Sequence, residues 1–450
     1  MQNKLATVLK PEGVEYIEIR IEENQATRLV YRGKRLEEVG RTSSLGGNVR
    51  ALVKGGWGFV SFNNIENIRE NVDLAVTEAR ITGNEDFRLS PTERVIDVVK
   101  PLNSSPPASL AAKKQLLDEY NDIILSTPGI QTSSIGCQDS RRKITFANSE
   151  GTYIEQTRAD INLRLTAIAA ENGDVQQVGL SIGSPGQFSA IEGLQQQVRE
   201  MAERAVKLLS APQAQGGEYT IVLDPILAGV FAHEAFGHLS EADHVYENKR
   251  LQEMMVLGRK FGSKHLSIVD GAAVPGLRGS YKYDEEGVPS TKTYLIREGI
   301  LESRLHSRET AAKMGEKTTG NARAISYSFP PIVRMTNTYI EPGILSFEDI
   351  IRDIKEGIYA REWYGGTTSL EMFTFSAGEA YMIRNGKIAE LIRPVVLSGN
   401  VFTTLSNIDA IGNDLEMNQG GGCGKRGQMP LPVSNGSPHI RINRCLVGGS

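Results

Sequence analysis

The chain has 450 residues, of which 40% are hydrophobic and 23% charged, an ordinary globular composition with room for two or three domains. Fifty basic residues against 54 acidic ones give a net charge of −4 without a long basic run, so direct binding to nucleic acid is not expected. The sequence opens without an apolar signal core, has no uncharged stretch of the roughly 18 residues that a membrane span needs, and contains three cysteines, which together predict a cytoplasmic protein.

The first 100 residues predict a strand meander followed by a helix. Apolar alternation and turn signals place strands at 16–21, 27–31, 49–53 and 58–62. Helical spacing then relates Ile65, Ile68, Val72, Val76 and Ala79. A connector with prolines and serines follows at 101–107.

A second block repeats this theme in altered order. It predicts a helix near 110–125, strands within 130–182, and a second helix whose apolar face carries Leu194, Val198, Met201, Ala205 and Leu208. We therefore expect an N-terminal α+β region at 1–215 with a weak internal repeat, divided into subdomains at 1–100 and 101–215.

A glycine-containing linker at 211–217 leads to a C-terminal domain at 218–450. An apolar strand at 219–223 is followed by Asp224 and Pro225, which suit the N-cap and the first position of a helix. Later strands dominate, with turns expected at Asn385-Gly386 and Glu298-Gly299. The fold class is therefore α+β, with a β-rich C-terminal domain built around this helix.

Three ionisable side chains, His233, Glu234 and His238, interrupt the apolar run of that helix. Burying them without partners would cost roughly 2–7 kcal/mol for each polar group, and a divalent metal is a suitable partner for two imidazoles. Histidines five residues apart lie about 140° apart on a regular α-helix, whereas one wide i→i+5 turn brings them to the same side. The spacing predicts a bulged or broken helix between Ala232 and Leu239, which Gly237 would ease. Buried structural histidines are the alternative.

Two residues compete for the third ligand position. His244 lies six residues after His238, as in the second half of the extended metzincin pattern, but Glu241 occupies the glycine position of that pattern. Cys423 lies in a glycine-rich segment beside Lys425 and Arg426, which favour the thiolate that binds metal. We favour Cys423 and expect His244 near the surface or behind the ligands.

Other motifs carry less weight. The segment at 417–427 lacks the first glycine and the final Ser or Thr of a phosphate-binding loop. The acidic residues Asp284, Glu285 and Glu286 are expected to form a solvated turn rather than a cation site. Arg334 and Asn337 could line the cleft or hold its backbone, and His306 could stabilise a transition state.

Several segments together resemble the TldD/PmbA family of bacterial and archaeal peptidases. The resemblance covers nearly the whole chain and is most specific in the C-terminal half. In that half, the third position of the acidic turn is Glu286, a conservative departure from the family pattern. The segments are 46–50, 55–59, 233–238, 278–280, 284–287, 319–321, 334–338 and 423–428.

The resemblance implies a TldD-like, metal-bearing subunit in which His233, His238 and Cys423 bind zinc and Glu234 is the catalytic carboxylate. Family members act on unfolded or leader peptides, usually as a heterodimer with a PmbA (TldE) subunit that lacks these ligands. A dimer with itself is the other arrangement we consider. The older family label, modulator of DNA gyrase, then describes an indirect effect of proteolysis.

The expected activity is zinc-dependent hydrolysis of unfolded or leader peptides, with zinc-bound water activated by Glu234. Aromatic residues make up only 6% of the chain, and with many strand signals this suggests that an extended peptide pairs with a sheet edge. Two alternatives stay open: a non-catalytic regulator with a structural metal, and a metal-dependent amidase acting on a small molecule.

Overall fold

The computed structural model describes residues 1–449 except Pro11, Asp86 and 101–107. The proline-containing connector predicted at 101–107 therefore lies outside the described residues. None of the helices in the described ranges is long and apolar enough to cross a membrane.

The N-terminal half alternates long strands with amphipathic helices. Its elements are α1 (Gln2–Val8), β1 (Tyr16–Arg32), β2 (Arg35–Val53), β3 (Gly56–Phe62), α2 (Ile68–Thr82), β4 (Ile96–Val99), α3 (Leu110–Ser126), β5 (Ile130–Asn148), β6 (Tyr153–Glu171), β7 (Asp174–Ser184), a 3₁₀ turn (Phe188–Ile191) and α4 (Gln195–Ser210).

The N-terminal strands are longer than predicted. The separate strands expected at 16–21 and 27–31 are one strand, β1, because the polar residues between them continue to pair with both β2 and β5. The predicted helices correspond to α2, α3 and α4, and Ser109 caps α3 by accepting the N–H of Ala112.

The strands of this half form one sheet among the described residues, in the order β3-β2-β1-β5-β6, with β7 and the short parallel β4 both beside β6. Two antiparallel meanders, β1–β3 and β5–β7, thus meet at the β1–β5 pair. This arrangement agrees with the weak repeat expected from sequence.

The two faces of this sheet have opposite character, because neighbouring residues of a strand point to opposite sides. Ile17, Ile19 and Ile21 of β1 pack in the core beneath α1 and α2. Leu29 and Tyr31, also odd-numbered, pack in the core that includes α3 and α4. The even-numbered Glu18, Arg20 and Glu22 are buried on the other face, which contacts the C-terminal half.

The C-terminal half begins with a strand and the helix that carries the histidines, followed by short helices. These are β8 (Gly217–Leu223), α5 (Pro225–Phe231), a π-helix (Ala232–Gly237), a 3₁₀ turn (His238–Ser240), α6 (Ala242–Glu247) and α7 (Lys249–Met254).

Mostly strands follow. They and the remaining helices are β9 (Ile268–Gly271), β10 (Lys292–Arg297), β11 (Ile300–Leu301), α8 (Arg308–Met314), β12 (Ala322–Arg323), β13 (Ile332–Val333), β14 (Asn337–Ile340), α9 (Phe347–Ile351), β15 (Glu356–Ser369), β16 (Met372–Arg384), β17 (Lys387–Ile392), β18 (Val395–Asn400), α10 (Val401–Ser406), β19 (Ile408–Ile411), β20 (Glu416–Asn418), β21 (Gly422–Lys425), β22 (Gln428–Pro432), β23 (Ser434–Ser437) and β24 (Ile440–Gly449).

Two larger sheets enclose the histidine helix. One follows the order β11-β10-β9-β14-β23-β20. In the other, β15, β8, β24, β18 and β16 pair in a ring, because β16 also pairs with β15. The turns predicted at Asn385-Gly386 and Glu298-Gly299 join β16 to β17 and β10 to β11, with positive φ at all four residues. The observed fold is α+β with a β-rich C-terminal half, as predicted.

Candidate metal centre and its cleft

The histidine helix starts where the sequence predicts. The Asp224 carboxylate accepts the N–H of Leu227 at 2.8 Å and Pro225 occupies the first turn. The apolar residues of α5, among them Phe231, bury the helix in the large C-terminal core. Ionisable side chains on this helix are therefore held in a largely apolar surrounding.

The helix widens at the histidines. Residues Ala232–Gly237 form a π-helix in which the His238 N–H donates to the carbonyl oxygen of His233, five residues earlier. The two imidazole rings consequently lie 5.3 Å apart between centroids, at an interplanar angle of 81°. The predicted wide turn is confirmed.

Gly237 contributes space rather than conformational freedom. Its φ of −58° is ordinary for a helix, so it does not ease the distortion through a backbone conformation reserved for glycine. A Cβ atom at this position would lie 2.0 Å from Sδ of the buried Met335. Glycine thus allows the widened turn to pack closely against the segment that precedes β14.

Cys423 reaches the histidines from a hairpin. It lies on β21, which pairs with β22, rather than in the loop expected from sequence. Its Sγ atom is 3.5 Å from Nε2 of His238. One potential ligand atom from each of His233, His238 and Cys423 lies within 4.8 Å of the other two.

The electrostatics of this group favour a thiolate beside imidazoles. Burial raises the pKa of the Cys423 thiol, but His233 and His238 outweigh it and hold that pKa well below its usual range. Conversely, burial lowers the pKa of His238, whereas Glu241 and Cys423 raise it well above its usual value. The thiolate therefore stabilises the charged forms of both imidazoles and is stabilised by them, although the two imidazoles oppose each other.

The group fits a zinc ion by the chemistry of its donors. Thiolate and imidazole are preferred zinc ligands, and on one tetrahedral ion a nitrogen and a sulfur lie about 3.5 Å apart. The 3.5 Å separation of His238 and Cys423 matches that spacing. Nδ1 of His233 is also buried without a hydrogen-bond partner among the described residues, a costly state for a polar atom.

A buried carboxylate holds His238 from behind. Oε2 of Glu241 lies 3.0 Å from Nδ1 of His238 and 3.0 Å from Nζ of Lys425, whose ammonium also reaches Asp243 at 2.7 Å. Burial alone would raise the pKa of Glu241, but Lys425 and then His238 lower it strongly.

Sequence reasoning missed this network. In the sequence, Glu241 is interpreted only as the residue in a glycine position, although it follows His238 by three residues. Lys425 follows Cys423 by two residues along β21, on the same side of the strand. These two spacings were the available signal.

His244 lies outside the group. Its Nδ1 is 3.8 Å from Oε2 of Glu241 and its side chain is 37% exposed. Among the described residues, the cluster of potential ligands contains Cys423 and not His244. This placement agrees with the position near the surface expected for His244.

Glu234 faces a cleft of about 290 Å³. Its Oε2 atom lies 3.8 Å from Nε2 of His238, and its side chain is 27% exposed. Together with Ile226, Val230 and His233 it forms the floor of the cleft along one face of the helix. A carboxylate is thus accessible to a molecule in the cleft, directly beside the three donors.

One wall of the cleft is the edge of a sheet. Five consecutive residues of β7, 177–181, line it. The adjacent strand β6 contributes 164–166 to the same wall, and β7 is the outer strand of the sheet on this side. Within the described chain β7 pairs with β6 alone, so its backbone groups on the cleft side are available to an extended chain.

The acidic turn is buried, so the expectation of a solvated turn is wrong. Asp284, Glu285 and Glu286 are 1–3% exposed. Glu285 pairs with Arg158 at 3.1 Å, and Glu286 pairs with Arg50 at 3.3 Å. Both arginines lie on the polar face of the N-terminal sheet. This face covers the acidic turn, so its carboxylates are paired with arginines instead of being solvated.

The other residues singled out in the sequence make structural contacts, with backbone groups or with other side chains. Arg334 is fully buried and donates to the carbonyl oxygen of Gln428 at 3.1 Å. Asn337 donates to the carbonyl oxygen of Gly271 and accepts the N–H of Gly279. The ring nitrogens of His306 lie 3.1 Å from the Thr310 hydroxyl and 3.0 Å from the Glu316 carboxylate. His306 does not line the cleft, which argues against a role in a reaction there.

Comparison with family models gives three consecutive matches. Residues 17–81 match PmbA/TldA metallopeptidase domain 1, 103–209 match the central domain, and 216–449 match the C-terminal domain. A protein of Synechocystis sp. named metalloprotease is 48% identical over 97% of this chain and 95% of its own length. A Saccharolobus solfataricus protein named zinc metalloprotease TldD homolog is 30% identical, with 97% of each chain covered.

Solved structures with the same fold include more distant proteins. A putative modulator of a DNA gyrase from Thermotoga maritima aligns with a TM-score of 0.79 and 20% identity, and TldE from Thermococcus kodakarensis with 0.75 and 18%. Each alignment covers 99% of both chains. At these identities the likeness concerns the fold alone.

Proposed function

Because this chain belongs to the PmbA/TldD metallopeptidase family, we propose that it is a zinc-dependent peptidase with Glu234 as its catalytic carboxylate. The observation that carries the proposal is the convergence of His233, His238 and Cys423 within 4.8 Å, with Glu234 beside them on the floor of a cleft. His₂Cys is a known donor set of catalytic zinc. These three side chains would hold the metal.

Each residue then has a distinct task in peptide hydrolysis. When bound, zinc supplies a Lewis acid for the scissile carbonyl and lowers the pKa of a neighbouring water. Glu234 takes the proton of the attacking water and passes it to the leaving amine. Cys423 donates more charge than a third imidazole would, which makes the metal a milder Lewis acid and places more of the catalysis on Glu234.

The substrate class we propose is unfolded or leader peptides. The edge of β7 offers backbone donors and acceptors to an extended chain, the mode of recognition called β-augmentation. A folded protein cannot present such a strand without unfolding locally. Selection by backbone pairing also predicts broad sequence tolerance, apart from subsites at the ends of the cleft.

A dimer is part of the proposal. The fold of this chain is shared with TldE from Thermococcus kodakarensis, which supports assembly with a PmbA/TldE-like subunit; a pair of identical chains is the other arrangement. Light scattering of this chain alone and mixed with such a subunit distinguishes the two. The cytoplasmic location stays a prediction.

Metal analysis tests the ligand set. The zinc-replete wild type should carry one zinc per chain, whereas His233→Ala and Cys423→Ser should lose it. His244→Ala is the matched control, because it removes a nearby imidazole that lies outside the cluster, and it should keep zinc. Zinc loss in the His244 variant with retention in the Cys423 variant would overturn the ligand assignment.

Peptide cleavage tests the catalytic role. Glu234→Gln should keep zinc and lose on the order of 10²–10⁴ in kcat, the usual contribution of a general base. Undiminished turnover would remove Glu234 from the mechanism. Hydrolysis of small amides but not of peptides would instead indicate an amidase, and zinc binding without any hydrolysis would indicate a regulator.

A further inference from the structure

The end of the cleft away from His233 carries a carboxylate next to two aromatic rings. Glu362, Trp363 and Tyr364 are consecutive residues of β15 that line the cleft, at a bulge where the pairing with β16 shifts register. We call these three residues the β15 bulge. Trp363 and Tyr364 are 42% and 54% exposed, so both rings are accessible from the solvent.

The β15 bulge is fixed to the helix that carries the metal ligands. The N–H of Glu362 donates to Oδ2 of Asp224 at 3.1 Å, while Oδ1 of Asp224 caps α5. Glu362 also adopts a φ of +56°, a conformation that costs a non-glycine residue energy and is concentrated at functional sites. The bulge and the metal centre are thereby held at opposite ends of one rigid element.

The carboxylate of Glu362 lacks a partner. Its neighbour Glu379 lies 3.2 Å from Arg204 and 3.4 Å from Arg361, so both nearby arginines are already paired. Glu362 itself makes no side-chain hydrogen bond or ion pair within the described part of the chain. Burial raises its pKa, although Arg204 and Arg361 oppose that shift. A positive charge from outside would therefore be stabilised here.

The length of the cleft fixes where along a peptide this charge would lie. The helix face from Ile226 to Glu234 spans about 12 Å at 1.5 Å per residue. The β7 edge beside it, 177–181, spans about 13 Å at 3.3 Å per residue. Ser181 is the end nearer the metal centre, because its hydroxyl donates to the carbonyl oxygen of Gly420, three residues before Cys423. A peptide paired with β7 thus places about four residues between the two ends.

We propose that the β15 bulge is a cation-selecting subsite, which binds a positively charged group of the substrate about four residues from the scissile bond. This inference rests on the proposed peptidase function. A carboxylate beside exposed aromatic rings binds ammonium and guanidinium groups by ion pairing and by cation–π attraction. The group can come from a Lys or Arg side chain or from the peptide amino terminus, since the chemistry is shared.

A lysine walk tests the proposal. The substrates are ten-residue peptides of small neutral residues, acetylated and amidated, with one Lys moved through the sequence and Gln as the matched replacement. Cleavage sites are located by mass spectrometry. We expect kcat/KM to be about five- to tenfold higher when Lys lies about four residues from the cleaved bond. The same neutral peptide with a free amino terminus tests the other source of the cation.

Variants assign the preference to Glu362. In Glu362→Gln the Lys-to-Gln ratio of kcat/KM should fall to about one, and in Glu362→Lys an Asp-containing peptide should become the better substrate. Glu356→Gln is the matched control, because Glu356 lies on the same strand but pairs with Arg384 outside the cleft, and it should keep the ratio. A wild type without a preference, or a preference that survives Glu362→Gln, overturns the proposal.

Binding separates this inference from the peptidase proposal. If the wild type cleaves none of these peptides, the proposed function fails, but fluorescence anisotropy still compares the Kd values of the labelled Lys and Gln peptides. Tighter binding of the Lys peptide, lost in Glu362→Gln, supports the subsite without catalysis. Equal Kd values in the wild type overturn it.

Discussion

A single carboxylate oxygen links the two segments that carry the proposed metal ligands. Oε2 of Glu241 contacts Nδ1 of His238 from the helical segment and Nζ of Lys425 from β21. Carboxylates behind ligating histidines fix the orientation of the ring and raise its basicity. Since Lys425 lies two residues after Cys423, the same contact also fixes the position of the strand that carries the thiolate.

Replacing Glu241 should weaken zinc binding without removing a ligand. In Glu241→Gln the side chain keeps its shape but loses its charge, so we expect zinc affinity to fall about 10- to 100-fold. Chelator competition measures this, and circular dichroism checks that the fold is retained. Glu247→Gln is the control, because Glu247 pairs with Arg426 on the surface. Equal affinities of the wild type and Glu241→Gln would contradict the positioning role.

The residues of the site differ in how far the sequence could predict them. His233, Glu234 and His238 are neighbours in the chain, so the wide turn that brings the two imidazoles together could be predicted from their spacing alone. Cys423 required the choice of a distant residue on the basis of its chemical type. The burial of Glu285 could not be predicted, because Arg158 lies on a strand that only the completed fold brings to it.

At the scale of elements, Asp224 connects the helix that carries the proposed metal ligands to the β15 bulge. Its two carboxylate oxygens accept the N–H groups of Leu227 and Glu362. Burial raises the pKa of Asp224 to about 7, and the neighbouring Glu362 adds to that shift. Asp224, which the sequence identifies as a helix cap from its residue type alone, therefore also connects the helix to the β15 bulge on another wall of the cleft.

This shift predicts a pH-dependent stability. The pKa of Asp224 is higher in the folded state than in the unfolded chain. Its contribution to the free energy of unfolding is therefore fully present below about pH 4 and is lost as the pH rises through about 7. Asp224→Asn stays neutral. The unfolding free energy of the wild type relative to Asp224→Asn should thus fall by on the order of 2–4 kcal/mol from pH 4 to pH 8. Urea unfolding measures it, and parallel pH profiles would contradict the prediction.

The elements themselves were predictable where local pattern determines them. The apolar faces of α2 and α4 and the Asn385-Gly386 turn are examples. The full length of β1 was not, because its middle is polar and stays a strand only by pairing with β2 and β5 on both sides. Alternation is also ambiguous about which face is solvated: Glu18, Arg20 and Glu22 look like a solvated face in sequence and are buried against the other half of the chain.

At the scale of the whole molecule, the cleft depends on contact between two halves of the chain. The three proposed zinc ligands and Glu234 all come from residues after 216, whereas the β7 edge belongs to the N-terminal sheet. The polar face of that sheet holds the two halves together through buried ion pairs. Glu285, with a side chain 1% exposed, contacts Arg158 at 3.1 Å and Arg20 at 4.0 Å.

Breaking this contact should separate substrate binding from catalysis. Glu285→Gln leaves Arg158 and Arg20 without their full counter-charge, and removing one partner of a buried pair typically costs about 3–5 kcal/mol. The proposed zinc ligands stay together because none of them belongs to the sheet, so zinc content should be unchanged. Misplacement of the β7 edge should raise KM several-fold more than it lowers kcat. Steady-state kinetics with zinc analysis measures both. The control is Glu390→Gln, which breaks an exposed pair with Arg384 and should leave the free energy of unfolding nearly unchanged. A fall in kcat that accompanies zinc loss would show instead that the ion pairs support the metal centre itself.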